Sequence, residues 1–128
     1  MTRINLVEPS ELHYKHLIAE IHEITRVFGL VRKAQERGIN RYNLDKLGIP
    51  SKYTMGTGHV KFFYNKLNFI KARYQSLCHD ALRRGYKINP LDMNSLSDGL
   101  RPEWFGDYHP DNEAVSINKA RILERQPK

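Results

Sequence analysis

The chain has 128 residues, 40% of them hydrophobic and 27% charged, the balance of a single folded domain over residues 1–128 rather than of a disordered chain. Twenty-one Lys and Arg against 14 Asp and Glu leave a formal charge of +7, which suits a polyanionic partner, nucleic acid or an acidic membrane surface. No run nears about eighteen apolar residues, MTRINLVEPSEL lacks the pattern of a secretory signal, and the single cysteine, Cys78, can form neither an intrachain disulfide nor a CxxC metal site, so a reducing, cytoplasmic setting is expected.

The expected architecture is all-α, three main helices with long connecting loops. The first helix is predicted from Ser10, its cap, to about Arg37, with Gly38 as a left-handed stop. Leu17, Ile21, Ile24, Phe28 and Val31 recur at helical spacing as its buried stripe, which Gly29 weakens slightly. Lys15, His22, Arg26 and Lys33 follow at steps of seven, four and seven, a narrow cationic stripe away from the apolar one. It reads either as a solvated face or as a row of phosphate contacts, which Arg3, Arg121 and Arg125 would extend. His16, Glu20 and Glu23 form an acidic stripe on the same helix. Carboxylates within an electropositive surface repel phosphates, so they are either surface residues paired with neighbours such as Arg26 or Lys15, or they serve catalysis. His13, His16 and Glu20 have metal-compatible spacing but no HExxH pattern and no fourth ligand, and no metal is expected.

The second helix is the clearest, with Val60, Phe63, Leu67, Ile70, Tyr74, Leu77 and Ala81 in unbroken steps of three and four and Gly85 as its stop. Gly56 to His59 read as a tight turn leading into it, whose amides could seat a phosphate; no strand precedes it and a third glycine is missing, so it is no dinucleotide fingerprint. Cys78, beside the core stripe, is expected to be packed rather than reactive. The third helix opens at Pro110 and Asp111 and runs to about Glu124, with Ala114, Ile117 and Ala120 as a thin apolar side. Residues 38–58 and 86–109 are left as long connections, a length often functional. Trp104 is assigned to the core, and Tyr108 either to the core or to base stacking. Neither a nucleophile elbow nor a phosphate-binding P-loop is present.

The N-terminus offers one further nucleophile. Met1 precedes the small Thr2, and its removal would free an α-amine with a pKa of about 7.7–8.0, partly neutral at physiological pH. Such an amine can form a Schiff base with a sugar carbonyl or attack an oxocarbenium-like C1′.

MTRINL at 1–6, SEL at 10–12, HLIAE at 16–20, Glu23 followed by RVFGLVRK at 26–33, GTGHVKFFYNKL at 56–67, RRGYKI at 83–88, GDYHP at 106–110 and KAR at 119–121 closely resemble the phage-type pyrimidine dimer DNA glycosylase/AP lyase, the phage endonuclease V family. The blocks keep the family's order across positions 1 to about 125. The resemblance implies a DNA repair enzyme that works without metal or organic cofactor. Thr2 would be the amine that attacks C1′. Glu23 would be the carboxylate that stabilises the sugar's positive charge and then moves a proton in β-elimination. Arg3, Arg26, Lys33, Arg121 and Arg125 match or conservatively replace the family's phosphate-contacting cations, and His22 stands where the family usually has Arg, a partial charge in place of a full one. The implied partner is double-stranded DNA containing damaged bases or abasic sites, kinked and with a nucleotide flipped out opposite the lesion. The implied protein is a monomer that makes no use of a membrane, in a bacterial or phage-infected cell, a flat all-α body whose N-terminal segment threads between helices. The loop at 36–55 is longer than in the best-known members. The chain given ends at Lys128, short of the aromatic and basic tail tied to dimer recognition, which leaves the preferred lesion open between the dimer, abasic sites and other damaged bases. The alternatives are a non-enzymatic basic module for bent or damaged duplex, and an RNA- or ribosome-associated helical protein.

Overall fold

The computed structural model describes residues 2–126, whose regular elements are all helices, with no strand among them. Five α-helices follow in order: α1 (Tyr14–Ile24), α2 (Arg26–Glu36), α3 (Leu67–Arg83), the short α4 (Met93–Ser97) and α5 (Asn112–Glu124). Their buried apolar side chains form one cluster, with Trp104, Phe28, Phe63, Leu17 and Ile24 among its largest fully enclosed members.

The first predicted helix is in fact two. Ser10 lies in a 3-10 turn, Pro9–Glu11, and the backbone is extended at Leu12, so the cap of α1 is His13, whose Nδ1 accepts the Lys15 N–H at 3.1 Å. The break falls at Thr25, where the turn tightens and Phe28 N–H donates to the carbonyl three residues back at 3.3 Å. Periodicity could not reveal it: Leu17, Ile21, Ile24, Val27, Phe28, Val31 and Ala34 are all buried, a stripe that crosses the break in phase. Gly38 closes α2 as predicted. At φ +97° it lets Ile39 N–H reach Ala34 O and its own N–H reach Gln35 O, a Schellman pair.

The second helix begins later than its apolar period suggests. Val60 and Phe63 belong to tight turns, and α3 starts only at Leu67. The cause is the chain crossing at Gly106. Its N–H donates to Asn65 O at 3.1 Å and its carbonyl accepts Asn68 N–H at 3.2 Å. A Cβ at Gly106 would lie 2.4 Å from Asn65 O, so only glycine permits the approach. Gly85 stops α3 in a second Schellman pair, Tyr86 N–H to Ala81 O and Gly85 N–H to Leu82 O.

Asp111 caps α5, accepting Ala114 N–H at 2.8 Å, and the helix ends at Glu124 as predicted. Its inner face differs from prediction: Ala120 is exposed, and the position buried beside Ala114 is the polar Asn118. The long connections are pinned rather than free, Arg32 of α2 donating to Leu96 O and Asp98 O at 2.8 Å each. Trp104 is fully buried, with Nε1 donating to Gln35 Oε1 at 3.0 Å, and Cys78 is packed. Tyr108 sits half-buried edge-on to Phe62, ring centroids 5.1 Å apart. No described helix is long and apolar enough to cross a membrane.

Candidate active site

Residues 2–7 belong to no helix and are mostly buried, and no strand pairs with them. Their backbone groups must find partners elsewhere, and side chains supply them. Arg3 N–H donates to Glu23 Oε2 at 3.3 Å, and Arg26 Nη1 donates to Thr2 Oγ1 at 3.4 Å. The Glu23 carboxylate of α1 therefore lies one peptide unit from the Thr2 nitrogen, with the first guanidinium of α2 on the Thr2 side chain. Beside them opens a cleft of about 170 Å³ lined by Arg3, Asn5, His16, Ala19, Glu20 and Glu23. Met1, whose removal the amine chemistry calls for, lies outside the described residues.

Burial, and then the neighbouring charges of Arg125 and Arg121, pull Arg3 below the usual guanidinium range. It stays charged at neutral pH. Arg121 and Arg125, at the end of α5, thus add their positive charge to that of Arg3, which itself lines the cleft. Arg121 also pairs with Glu124 at 3.6 Å, while the Arg125 carbonyl is 3.0 Å from His16 Nε2. His22 and Lys33 are exposed and form no side-chain hydrogen bond or ion pair among the described residues. The cationic stripe spans the break at Thr25, with Lys15 and His22 on α1 and Arg26 and Lys33 on α2, and all four are exposed, in phase like the apolar stripe.

Within the acidic stripe His16 and Glu23 are half-buried, and the surface alternative fails for Glu20. Glu20 is buried and ion-paired with Arg73 of α3, Nε to Oε2 at 2.8 Å and Nη2 to Oε1 at 3.1 Å, not with Lys15 or Arg26. It also accepts from the Asn5 side chain at 2.8 Å and from Asn5 N–H at 3.3 Å. Glu20 falls in phase with Leu17, Ile21 and Ile24, and Arg73 in phase with Ile70, Tyr74 and Leu77. A charge of each sign within the apolar stripes of two helices is the pattern of a buried pair, and it was available in the sequence. His13 caps α1 and Glu20 is held by Arg73, so the candidate metal trio does not converge, and no group of three or more His, Cys, Asp or Glu is placed to hold a metal among the described residues.

The Gly56–His59 turn forms as predicted, with positive φ at Gly56 and Gly58, and it serves the N-terminal segment. The His59 amide is occupied by Gly56 O. Its ring, buried, accepts Ile4 N–H at Nε2 (2.9 Å) and therefore donates from Nδ1 to Thr54 O at 2.8 Å. That pair of partners fixes the neutral tautomer. Burial pushes His59 below the ordinary histidine pKa, and Arg3 and Arg121 push in the same direction. Tyr53 donates to Ile4 O at 3.1 Å; burial, then the Glu20 charge, raises its pKa and keeps its hydroxyl protonated. A family model described as pyrimidine dimer DNA glycosylase matches residues 1–94, which take in Thr2, Glu23, Arg26, Lys33 and Arg73 but not α5.

Proposed function

The chain belongs to the pyrimidine dimer DNA glycosylase family, and from that premise we propose that it cleaves the N-glycosidic bond at pyrimidine dimers or related damaged bases through an imine at the Thr2 amine, then cuts the strand as an AP lyase. The neutral amine attacks C1′, and the glycosidic electron pair leaves with the base. The attacking nitrogen gives up one proton to the departing base, and as the C1′–O4′ bond opens the nitrogen's second proton passes to O4′, which leaves the imine. Loss of a C2′ proton then expels the 3′ phosphate and leaves the strand nicked. The Glu23 carboxylate stabilises positive charge at the sugar in the first stage and assists proton transfer in the second. Arg3, His22, Arg26, Lys33, Arg121 and Arg125 hold phosphates of a kinked duplex, bound by one copy of the protein.

The observation that carries this reading is the 3.3 Å hydrogen bond from Arg3 N–H to Glu23 Oε2. A carboxylate on an electropositive DNA-facing surface weakens phosphate binding, and its place beside a prospective nucleophile supplies the reason for it. N-terminal acetylation tests the proposal. The acetylated protein is expected to lose turnover on damaged duplex while keeping most of its affinity, because the cations are untouched. Equal turnover with and without the acetyl group removes the amine from the mechanism. Absence of turnover in both forms favours a non-enzymatic module for damaged duplex.

A further inference from the structure

The amine acts only if its segment is held at the right place, and nothing in Thr2 itself does that. From Arg3 to Val7, five successive backbone N–H groups each donate to a side chain: Glu23, His59, Glu20, and Asn118 for both Leu6 and Val7. Two carbonyls in the same run accept, Ile4 O from Tyr53 and Val7 O from Arg73 Nη1. The segment is thus held by side chains from α1, α3 and α5 together with Tyr53 and His59 from the connection before α3.

Asn118 is the keystone of the α5 side. It is fully buried. Its Oδ1 accepts Leu6 N–H at 2.7 Å and Val7 N–H at 3.3 Å, and its Nδ2 donates to Asn5 Oδ1 at 2.8 Å. Asn5 in turn donates Nδ2 to Glu20, which Arg73 locks. One turn further along α5, on the same face, stands Arg121, one of the cations close to Arg3.

We propose that Asn118, acting through Asn5 on the buried Glu20–Arg73 pair, is a positioning residue for the Thr2 amine and ties the seat of α5 to the reactivity of the N-terminus. The inference rests on the imine reading above. It differs from a purely structural role in what it predicts: the chemical step suffers while DNA binding, carried by the cations, does not.

The test uses the full chain with Met1 removed. Single-turnover strand cleavage on an abasic duplex is measured alongside affinity for a duplex carrying a non-cleavable tetrahydrofuran abasic analogue. Asn118→Leu removes both halves of the clamp, and a displacement of the amine on the order of 1 Å is expected to slow cleavage about 100-fold with affinity little changed. Asn118→Asp keeps the acceptor for Leu6 and Val7 but loses the Nδ2 donor to Asn5 Oδ1, so it breaks the relay and is expected to slow cleavage selectively as well; wild-type cleavage by the Asp variant would overturn the relay through Asn5. Amide hydrogen exchange at Leu6 and Val7 should quicken in the Leu variant and not in the Asp variant. Should Asn118→Leu fail to fold, Asn5→Ala breaks the same relay one link further on and is expected to slow cleavage in the same selective way. A folded Leu variant that cleaves at the wild-type rate, or one whose rate and affinity fall together, overturns the inference while leaving the imine reading intact. A wild-type protein that cleaves no abasic duplex overturns the imine reading itself, and the inference with it.

Discussion

At the scale of single residues the site is defined by which group carries which charge. Glu23 is the one site carboxylate not committed to an internal cation, since Glu20 is neutralised by Arg73. Glu23→Gln keeps the shape and the acceptor for Arg3 N–H but removes the charge. Strand cleavage is expected to fall by about 10² to 10⁴, the usual range for a general acid–base group, with duplex affinity unchanged or slightly higher. Parallel cleavage and binding titrations check this, and full activity of the Gln variant would exclude the carboxylate from the chemistry. His59 yields a pH prediction. Its folded pKa lies below the ordinary value of about 6.5, so between the two values the unfolded chain binds more protons than the folded one. Its contribution to stability is complete above the unfolded pKa and is lost as pH falls through the folded one. Thermal unfolding followed downward from neutral pH should show that loss, and His59→Gln should flatten it, because Gln titrates nowhere in the window.

At the scale of elements the sequence was most legible where chemistry is local. Gly38 and Gly85 stop their helices because each needs a positive φ, and Asp111 caps α5 through its own side chain; such features depend on few neighbours. The break at Thr25 and the late start of α3 were not legible. The first leaves the apolar phase intact, and the second is caused by Gly106, some forty residues away in sequence. The burial of Glu20 and of Arg73 was legible, since each falls within the apolar stripe of its own helix; that they pair with one another was not, because the periodicity of one helix does not say which helix it packs against. This pair joins α1 to α3, and its removal can be weighed. Arg73→Met leaves the Glu20 carboxylate buried without its counter-charge and is expected to cost about 3–5 kcal/mol in denaturant unfolding. Adding Glu20→Gln should recover a large part of that loss. A single Arg73→Met variant as stable as the wild type would show that the pair contributes nothing.

At the scale of the molecule, the excess of +7 becomes meaningful through its placement. Arg3 and Arg26 stand at the N-terminal segment and Glu23, and Arg121 and Arg125 close in on Arg3 from α5. If these four and Lys33 each neutralise one phosphate, the logarithm of duplex affinity should fall with the logarithm of salt at a slope of about −4.5. A slope near zero would remove this face as the DNA contact. Thr2 and Glu23 are twenty-one positions apart, and periodicity gave no means of joining them; the N-terminal motifs did so by resemblance, and the fold brings their neighbourhoods together through the Arg3–Glu23 hydrogen bond. The central claim, an imine between the Thr2 amine and C1′, has one direct measurement. The protein with Met1 removed is incubated with duplex bearing an abasic site or a pyrimidine dimer, borohydride is added, and the product is digested and mapped by mass spectrometry. The account predicts a covalent sugar adduct on the peptide that begins at Thr2. No adduct on either substrate, or an adduct on a lysine side chain with Thr2 unmodified, would contradict it.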